Sequence, residues 1–388
     1  MLLNWMLIFS LTYLLTTSVV LIRNRFDLTT VTSYNKDTVP KPKISVCIPA
    51  RNEEKNIANL LESIIVQDYS SFEILVLDDH STDRTNTIVT DLRHDHPDLI
   101  QIFPGKPKPD DWLGKPWACH QLGKKATGEL LLYLDADTVL EPNALVNIAS
   151  TFPHYNLDMI AIWPKQILGT FWEKTVIPLI YYALVTLLPA IYVYRDPRWM
   201  PTSMKKRLRP AFAAANGQCI AFTKECYNRI DGHKAVRNHV VEDVELAKAV
   251  KRHNGKLRMF NGVGTVQCRM YRNNSDMFSG LRKNFLAGFQ YSLLLFITAA
   301  LLHLVVFILP FITIFIAIYM NNPELLFLSI ASVSIILLHR LLLAQWFQWN
   351  PLYSFTHPIG IGWFQCLGLV KIYDQLTGKK TEWKGRKV

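Results

Sequence analysis

The charge-free stretches at both ends of a long polar block most constrain the fold of this chain. Leu2–Ile22 carries no charged residue, is long enough to cross a bilayer, and is followed by Arg23 and Arg25. No small-residue cleavage site follows it, so the sequence predicts an uncleaved membrane anchor over residues 1–25. Positive residues after the anchor place the downstream chain in the cytoplasm.

Further apolar stretches follow the polar block, and residues 286–371 are predicted to hold the C-terminal membrane segments. Tyr291–Met320 and Leu325–Leu343, separated by a short polar break, predict a membrane hairpin. Pro351–Val370 contains two prolines and three glycines, which leaves open whether it crosses, re-enters or lies at the interface. The basic tail, residues 372–388, should stay inside, and this favours a re-entrant or interfacial segment.

Composition narrows the class of partner. The formal charge is +11, from 42 Lys and Arg against 31 Asp and Glu, and half of the residues are hydrophobic. A basic and hydrophobic chain favours anionic lipid head groups over nucleic acid as a partner, and no zinc-knuckle or RNP-like pattern competes with that interpretation. The six cysteines form no C-x-x-C pair, so we expect reduced thiols of a cytosol-facing domain and no cysteine metal site.

One charge-free stretch, Thr175–Tyr194, lies in the middle of the chain. A single crossing there would put residues on either side of it in different compartments. We therefore predict an interfacial or groove-lining segment over residues 175–209, broken by Pro178 and Pro189. The basic run Lys205–Arg209 would then lie among lipid head groups. The alternative is a buried core helix followed by a solvated loop.

The polar block alternates strand-like and helix-like runs over residues 43–285. Ile44–Pro49 and Phe72–Asp79 are short apolar strands, and Asn52–Gln67 between them has helical spacing of apolar residues with Asn52 as its cap. This order predicts a parallel sheet that binds nucleotide-type ligands at its carboxyl edge. No G-x-G-x-x-G and no P-loop pattern is present, so neither a dinucleotide cofactor nor a P-loop is indicated.

Acidic pairs fall at the ends of three predicted elements. Asp135 and Asp137 follow the apolar run Leu130–Leu134, and two carboxylates in one site need a cation to remain ionised. A divalent metal that holds a diphosphate is the functional interpretation, and a solvated turn is the structural one. The other two pairs are Asp78 with Asp79, and Glu242 with Asp243 at the start of a predicted helix.

These motifs together resemble the membrane-associated family 2 glycosyltransferases, which have a GT-A fold. The matching segments are "IPARNE" (Ile48–Glu53), "LDDHSTD" (Leu77–Asp83), "GKPWACHQLGKKATGELLLYLDADT" (Gly114–Thr138), "ANGQCIAF" (Ala215–Phe222) and "VVEDVELAK" (Val240–Lys248). The resemblance implies an α/β nucleotide-sugar-binding domain with a Rossmann-like, mostly parallel sheet and transmembrane helices at both ends. "IPARNE", "EDVELAK", "CRMY" (Cys268–Tyr271) and "WKGR" (Trp383–Arg386) are most similar to the subgroup that glycosylates carotenoids and related lipids.

The resemblance also implies roles for individual residues on the donor side. Asp137 matches the metal-binding acid, for Mg²⁺ or Mn²⁺, and Asp135 is its partner. Lys115 would add positive charge near the phosphates, although a surface lysine is an equal alternative. The positions that match nucleotide-binding residues are Pro49, Ala50, Glu53, Asp78 and Asp79.

On the acceptor side, Asp243 matches the general base, and Glu242 an orienting residue. The processive polysaccharide synthases of the family carry Q-x-x-R-W, whereas this chain has "QCRMYR" (Gln267–Arg272), which favours a single transfer. Possible acceptor or phosphate contacts are Asn216, Gln267, Arg269 and Arg272. Three histidines lack metal-ligand spacing, and we expect core or surface roles for them: His120, His233 and His239.

The resemblance thus implies an inverting, metal-dependent hexosyltransferase that moves one sugar from a nucleotide donor, UDP-glucose by expectation, to a membrane-embedded lipid such as a carotenoid. Its expected location is the bacterial plasma membrane, with the catalytic domain in the cytoplasm and other enzymes of the same lipid pathway as possible partners. One alternative is a polysaccharide or polyprenyl-phosphate sugar synthase. Another is a non-catalytic membrane protein that uses the fold for binding or assembly.

Overall fold

The structure is a computed structural model that describes residues 1–32, 41–285 and 292–377 together with Glu382, Trp383, Arg386 and Lys387. The chain divides into two compact units, which are described separately. The sheet unit comprises Asp27–Ile167 and Ala190–Arg269, and the helical unit comprises Met1–Phe26, Leu168–Pro189 and Met270–Val388. Parts of two predicted segments, Tyr291–Met320 and the basic tail, lie outside the described residues.

The sheet unit is built on a seven-stranded sheet in the order β3-β2-β1-β4-β8-β6-β9 and a small sheet in the order β5-β10-β7. The strands are β1 Ile44–Ala50, β2 Phe72–Asp78, β3 Ile100–Pro104, β4 Leu130–Leu134, β5 Thr138–Leu140, β6 Met159–Trp163, β7 Lys165–Gln166, β8 Cys219–Thr223, β9 Leu257–Asn261 and β10 Val266–Cys268. In the large sheet, the neighbouring strands β3, β2, β1 and β4 are parallel to one another. Strand β8 runs antiparallel to both β4 and β6. The predicted mostly parallel α/β sheet is therefore confirmed.

Helices cover this sheet because its central strands are apolar on both faces: every residue of β4 and β6 is buried. Helix α2 shows how the covering works, since Ile57, Leu60 and Ile64 recur at helical spacing and are buried in the core. The helices of the sheet unit are α2 Ile57–Ile65, α3 Thr85–Asp95, α4 Gly114–Lys125, α5 Ala144–Tyr155, α7 Ile191–Tyr194, α8 Thr202–Leu208, α9 Lys224–Arg229 and α10 Glu242–Arg252, with 3₁₀ turns at Arg209–Phe212 and Gly232–Val236.

The predicted start of the first core helix is wrong. Helix α2 begins at Ile57, and Asn52 does not cap it. Asn52 has a left-handed backbone, φ 53°, and its side-chain oxygen accepts a hydrogen bond from the Thr82 N–H at 2.8 Å. Asparagine tolerates this conformation, and the loop that follows β1 is thereby tied to the loop that follows β2. Strand β1 also continues through Pro49 to Ala50, one residue beyond its predicted end.

The helical unit contains the candidate membrane spans. Its helices are α1 Leu2–Asp27, α6 Phe171–Leu187, α11 Asn274–Asn284, α12 Leu293–Phe307, α13 Leu309–Tyr319, α14 Pro323–Trp346 and α15 His357–Thr377, with a 3₁₀ turn at Pro351–Thr356 and two short strands, β11 Glu382–Trp383 and β12 Arg386–Lys387. Among the described residues, α1 and α14 are long and apolar enough to cross a membrane, and α12 with α13 would be a third span bent by 43°.

The central charge-free stretch forms one continuous helix up to Leu187, so the predicted break at Pro178 is wrong. A capping box closes the start of α6, where the Thr170 and Glu173 side chains each accept a hydrogen bond from the other's backbone N–H. Val176, Leu179 and Val185 are among its buried residues, and this packing stabilises the helix despite the hydrogen bond that Pro178 cannot donate. The predicted break at Pro189 is confirmed.

Candidate active site

The carboxyl ends of β1, β2 and β4 bring several predicted site residues to one edge of the large sheet. Ala50 at the end of β1 is in register with Asp78 at the end of β2, and the Asp79 N–H donates to the Ala50 carbonyl at 2.8 Å. Asp135 directly follows β4, which pairs with β1 on its other side. Ligands of open α/β sheets bind at such an edge, as predicted from the sequence.

Lys115 joins two of the predicted acids. It lies in the first turn of α4, and its Nζ is 2.7 Å from Asp135 Oδ1 and 3.1 Å from Glu242 Oε1. Burial lowers the pKa of Lys115, but the two carboxylates outweigh burial and hold that pKa well above its usual value. Lys115 is therefore a charged bridge between the acids and not an isolated surface lysine.

Asp243 is fixed in the first turn of α10. Its Oδ2 accepts a hydrogen bond from the Gly217 N–H at 2.7 Å, and its Oδ1 accepts one from the Val244 N–H at 2.8 Å. Burial, with a further contribution from the neighbouring Glu242 carboxylate, raises the pKa of Asp243 to about 6. A carboxylate with a pKa close to neutral is suited to accept a proton.

Gly217 permits this close arrangement. A Cβ at this position would lie 3.3 Å from Lys115 Nζ and 3.4 Å from Asp243 Oδ2. The preceding loop also reaches β4, because the Asp135 N–H donates to the Gln218 carbonyl at 3.1 Å. The loop before β8 thus holds Asp135 and Asp243 in one site.

Asp137 lies between β4 and β5, and it fits a cation ligand. Its Oδ1 is buried, and no residue that the structure describes donates a hydrogen bond to it. Burial, and then the charges of Asp135 and Glu53, raise the pKa of Asp137 to about 7. A bound cation would relieve this cost. Within the described residues there is no cluster of three metal-ligating side chains, so the phosphates of a donor would have to supply further ligands.

The predicted nucleotide-binding acids also organise the loops around the edge. Glu53 accepts a hydrogen bond from Asn56 Nδ2 at 2.9 Å, and its own N–H donates to Thr85 Oγ1 at 2.7 Å. Asp78 accepts hydrogen bonds from the Ser81 N–H and from Asn86. Asp79 is buried, and its carbonyl accepts a 2.6 Å hydrogen bond from Arg51. Nucleotide contacts by these residues, and by Pro49 and Ala50, remain predictions.

A buried amide network was missed by sequence reasoning. Gln218 Nε2 donates to Cys268 Sγ at 2.9 Å, and Gln218 Oε1 accepts from Gln166 at 3.0 Å and from Asn216 at 3.3 Å. Cys268 also lies beside Asp137, where it partly offsets the rise in the pKa of that carboxyl group. The network links the loop before β8 to β7 and β10, and so supports Asp137. Gln218 lies within the "ANGQCIAF" motif, which was the available signal.

The predicted acceptor contacts do not all converge on the acids. Gln267 donates to the Glu141 carboxylate, and the Arg269 N–H donates to the Asp137 carbonyl at 3.2 Å. Arg272 belongs to the helical unit. The three histidines have the expected core and surface roles: His233 is buried with its Nδ1 2.8 Å from the Tyr227 hydroxyl, His120 packs against Trp112 and Trp117, and His239 is exposed.

A mostly parallel sheet with acids at its carboxyl edge and a buried carboxylate suited to a cation defines a GT-A type of α/β fold. The mannosyltransferase from Pyrobaculum calidifontis, solved in complex with GDP-Man and Mn²⁺, has a similar fold, with a TM-score of 0.54 and 16% identity over 97% of this chain and 100% of that one. Residues 45–212 match the family model described as Glycosyl transferase family 2. Over these residues the chain is similar to that family, as the motifs predicted.

Curated relatives have a more specific name. A 4,4'-diaponeurosporenoate glycosyltransferase of Staphylococcus haemolyticus is 28% identical over 248 residues, which cover 63% of this chain and 61% of the relative. The protein with that name in Staphylococcus aureus is 26% identical over 231 residues, covering 59% of this chain and 56% of the relative. The matched region therefore spans about three fifths of the length of these relatives.

Proposed function

We propose that this chain is an inverting glycosyltransferase that moves a single hexose from a nucleotide sugar to a membrane-embedded lipid. The observation that carries the proposal is the position of Asp243, whose carboxylate is held by the Gly217 N–H in the same site as the Lys115-bridged acids. The name of the staphylococcal relatives supports a carotenoid-type lipid as acceptor. The two candidate membrane spans support a membrane location.

Asp243 is the general base of the proposed reaction. Its carboxylate removes the proton of the acceptor's hydroxyl as that oxygen attacks the anomeric carbon. The attack comes from the face opposite the leaving nucleoside diphosphate, so an α-linked donor gives a β-glycoside. Glu242 is held by Lys115 at 3.1 Å and orients the acceptor side of the site.

Asp137 would hold a divalent cation through its buried Oδ1, with Asp135 beside it. When bound, Mg²⁺ or Mn²⁺ supplies positive charge that neutralises the leaving diphosphate. Lys115 already carries a fixed positive charge next to Asp135. The GDP-Man and Mn²⁺ in the structure of the Pyrobaculum calidifontis mannosyltransferase support a nucleotide-sugar donor and a divalent metal in general. UDP-glucose is the particular donor that we propose.

The test is transfer by the purified full chain in lipid nanodiscs, with UDP-glucose, a bacterial lipid extract and either Mn²⁺ or Mg²⁺. We expect a metal-dependent glycolipid whose mass identifies the acceptor. Asp243→Asn should still bind UDP but lose about 10³-fold in transfer rate, because general base catalysis contributes on the order of 10²–10⁴-fold.

Glu245→Gln provides the matched control, since Glu245 lies in the same helix and pairs with Lys248 at 2.7 Å. It should keep the wild-type rate. Full activity of Asp243→Asn would contradict the base assignment. Long saccharide products would support a polysaccharide synthase instead. Absence of UDP release with every donor and metal would favour a binding or assembly role.

A further inference from the structure

The helical unit contains a buried polar cluster that the proposed transfer does not use. His339 on α14 is its centre: His339 Nε2 lies 2.7 Å from Ser18 Oγ of α1, and Nδ1 lies 3.0 Å from the Tyr182 hydroxyl of α6. Three helices are thus connected through one imidazole. Both ring nitrogens of His339 have hydrogen-bond partners. The next residue along α14, Arg340, has side-chain nitrogens without partners.

Arg340 is buried without a counterion. It is 3% exposed, and its Nη2 donates to the Tyr353 carbonyl at 3.2 Å. Its Nε and Nη1 have no hydrogen-bond partner, and no carboxylate pairs with it anywhere in the part of the chain that the structure describes. A guanidinium in an apolar helix bundle costs several kcal/mol unless an anion or several acceptors compensate it. Arg340 therefore lacks a partner of the kind that burial demands.

His357, the first residue of α15, is also buried without hydrogen-bond partners. It is 0% exposed, and neither ring nitrogen has a partner among the described residues. Its ring centroid lies 5.5 Å from that of Tyr182 and 5.3 Å from that of Phe307. Arg340 lies near His357, because it donates to the carbonyl of Tyr353, four residues before His357, and its neighbour His339 packs on the same Tyr182 ring at 5.8 Å. Two neighbouring side chains thus present unused hydrogen-bond donors.

The packing of α15 on α6 explains why His357 is held in this place. Gly360, one turn further along, approaches α6 so closely that a Cβ would lie 2.5 Å from Leu179 Cδ1 and 3.0 Å from the Thr175 carbonyl oxygen. The Thr356 hydroxyl donates to Thr175 Oγ1 at 3.1 Å. The position of His357 is therefore fixed by its backbone.

The cluster lies within two turns of the C-terminal end of α14. Arg340 is six residues before Trp346, the last residue of α14, which is about 9 Å along the helix axis. Arg25 stacks over Trp346 at 5.6 Å, so this end of α14 is level with the C-terminal end of α1. Leu338, Leu341 and Leu342 next to Arg340 are 54%, 36% and 40% exposed. Leu338 and Leu342 lie about 160° around the helix from Arg340, so they mark the outer apolar face of α14 while Arg340 faces the bundle.

We propose that Arg340 and His357 form a binding site for the anionic group, carboxylate or phosphate, of a membrane lipid. One of the free guanidinium nitrogens, Nε or Nη1, would donate a hydrogen bond to an oxygen of that group, and His357 would donate a second. A metal is excluded as the ligand, because the described residues contain no cluster of three metal-ligating groups and Arg340 would repel a cation. The proposal is independent of the transfer reaction: the ligand is a membrane lipid that remains bound whether or not transfer occurs.

The test compares oleic acid with its methyl ester, which has the same chain without the charge. Binding to the full chain in phosphatidylcholine nanodiscs is measured by native mass spectrometry. We expect the wild type to bind the acid at least ten times more tightly than the ester, and Arg340→Gln to bind both equally. Equal affinities in the wild type, or a preference that survives in Arg340→Gln, would overturn the proposal. Displacement of oleate by an equal concentration of inorganic phosphate would overturn the lipid as the source of the anion.

Arg25→Gln is the matched control, because it removes the same charge at the same end of α14 from an exposed position. It should keep the tenfold preference, and its loss would assign the effect to general membrane electrostatics. His357→Phe keeps the ring but removes the donors, and it should weaken oleate binding about threefold even if Arg340→Gln does not fold. Asp243→Asn should bind oleate as the wild type does, so failure of the transfer proposal remains distinguishable from failure of this one.

Discussion

The sheet unit and the helical unit each contain a cation at a candidate site, but the two cations have opposite surroundings. Lys115 lies between two carboxylates, Asp135 and Glu242, at 2.7 and 3.1 Å. Arg340 has one backbone carbonyl at 3.2 Å and two unused nitrogens. A balanced cation positions the side chains around it, whereas an unbalanced one indicates a ligand that the protein itself does not supply. Predictions that remove one charge from each unit test this difference.

The largest effect is expected for Lys115→Met, which removes the charge and keeps the length of the side chain. Asp135 and Glu242 would then repel one another, and the site would lose a fixed positive charge near the proposed diphosphate. We expect kcat/KM for the donor to fall about 100-fold, which is about 2.7 kcal/mol of transition-state stabilisation. Steady-state transfer with UDP-glucose measures it.

Lys124→Met is the control for this change, since Lys124 lies on the same helix and is exposed. It should leave kcat/KM within twofold of the wild type. Equal losses in the two variants would mean that overall charge, and not the bridge, matters for transfer.

The pH dependence of the transfer rate should follow the protonation of the proposed base, Asp243. Because the pKa of Asp243 is about 6, transfer should fall about tenfold for each pH unit below that value. The folded state keeps this proton between the unfolded pKa of 3.8 and the folded pKa of about 6, so the contribution of Asp243 to stability decreases as pH rises through that window. A rate profile from pH 4.5 to 8 tests the first part.

Asp243→Asn tests the second part, because asparagine resembles the protonated acid. Its melting temperature should match that of the wild type near pH 4 and be higher at pH 7.5. At pH 7.5 we expect its free energy of unfolding to be about 1–2 kcal/mol larger than that of the wild type. A difference that does not change with pH would contradict the raised pKa.

The sequence predicted the sheet and the acids of its edge for a local reason: short, wholly apolar runs end in carboxylates, and both signals lie within a few residues. The role of Lys115 could not be decided because its partners Asp135 and Glu242 belong to other elements. Asn52 and Pro178 were misjudged for a related reason. Asn52 bonds to a loop distant in sequence, and α6 tolerates Pro178 because its buried side chains stabilise it.

Arg340 is visible in the sequence as a single charged residue, but sequence reasoning treated the stretch around it only as an apolar run. A single arginine within a membrane-type helix indicates function, but the sequence cannot tell whether a carboxylate elsewhere in the chain pairs with it. Only the packing of α14 against the surrounding helices shows that no described carboxylate does so.

The comparison also predicts opposite signs for stability. In lipid-free detergent, Arg340→Gln should raise the melting temperature, because it removes an uncompensated buried charge. The expected gain in the free energy of unfolding is about 2 kcal/mol. Lys115→Met should lower the melting temperature, because it leaves two carboxylates unbalanced. Added oleate should raise the melting temperature of the wild type and not that of Arg340→Gln. A lower melting temperature for Arg340→Gln without lipid would show that the charge is already compensated.

The smallest effect concerns the backbone that holds His357 in place. Gly360→Ala puts a methyl group 3.0 Å from the Thr175 carbonyl oxygen, so α15 must move away from α6 at a cost of about 1–2 kcal/mol. Gly362→Ala, two residues along the same helix, meets nothing within 4 Å and should stabilise the protein by about 0.5–1 kcal/mol through helix propensity. If close packing fixes His357, only Gly360→Ala should also weaken the preference for oleic acid over its methyl ester, and equal binding by both variants would separate the anion site from the α6–α15 contact.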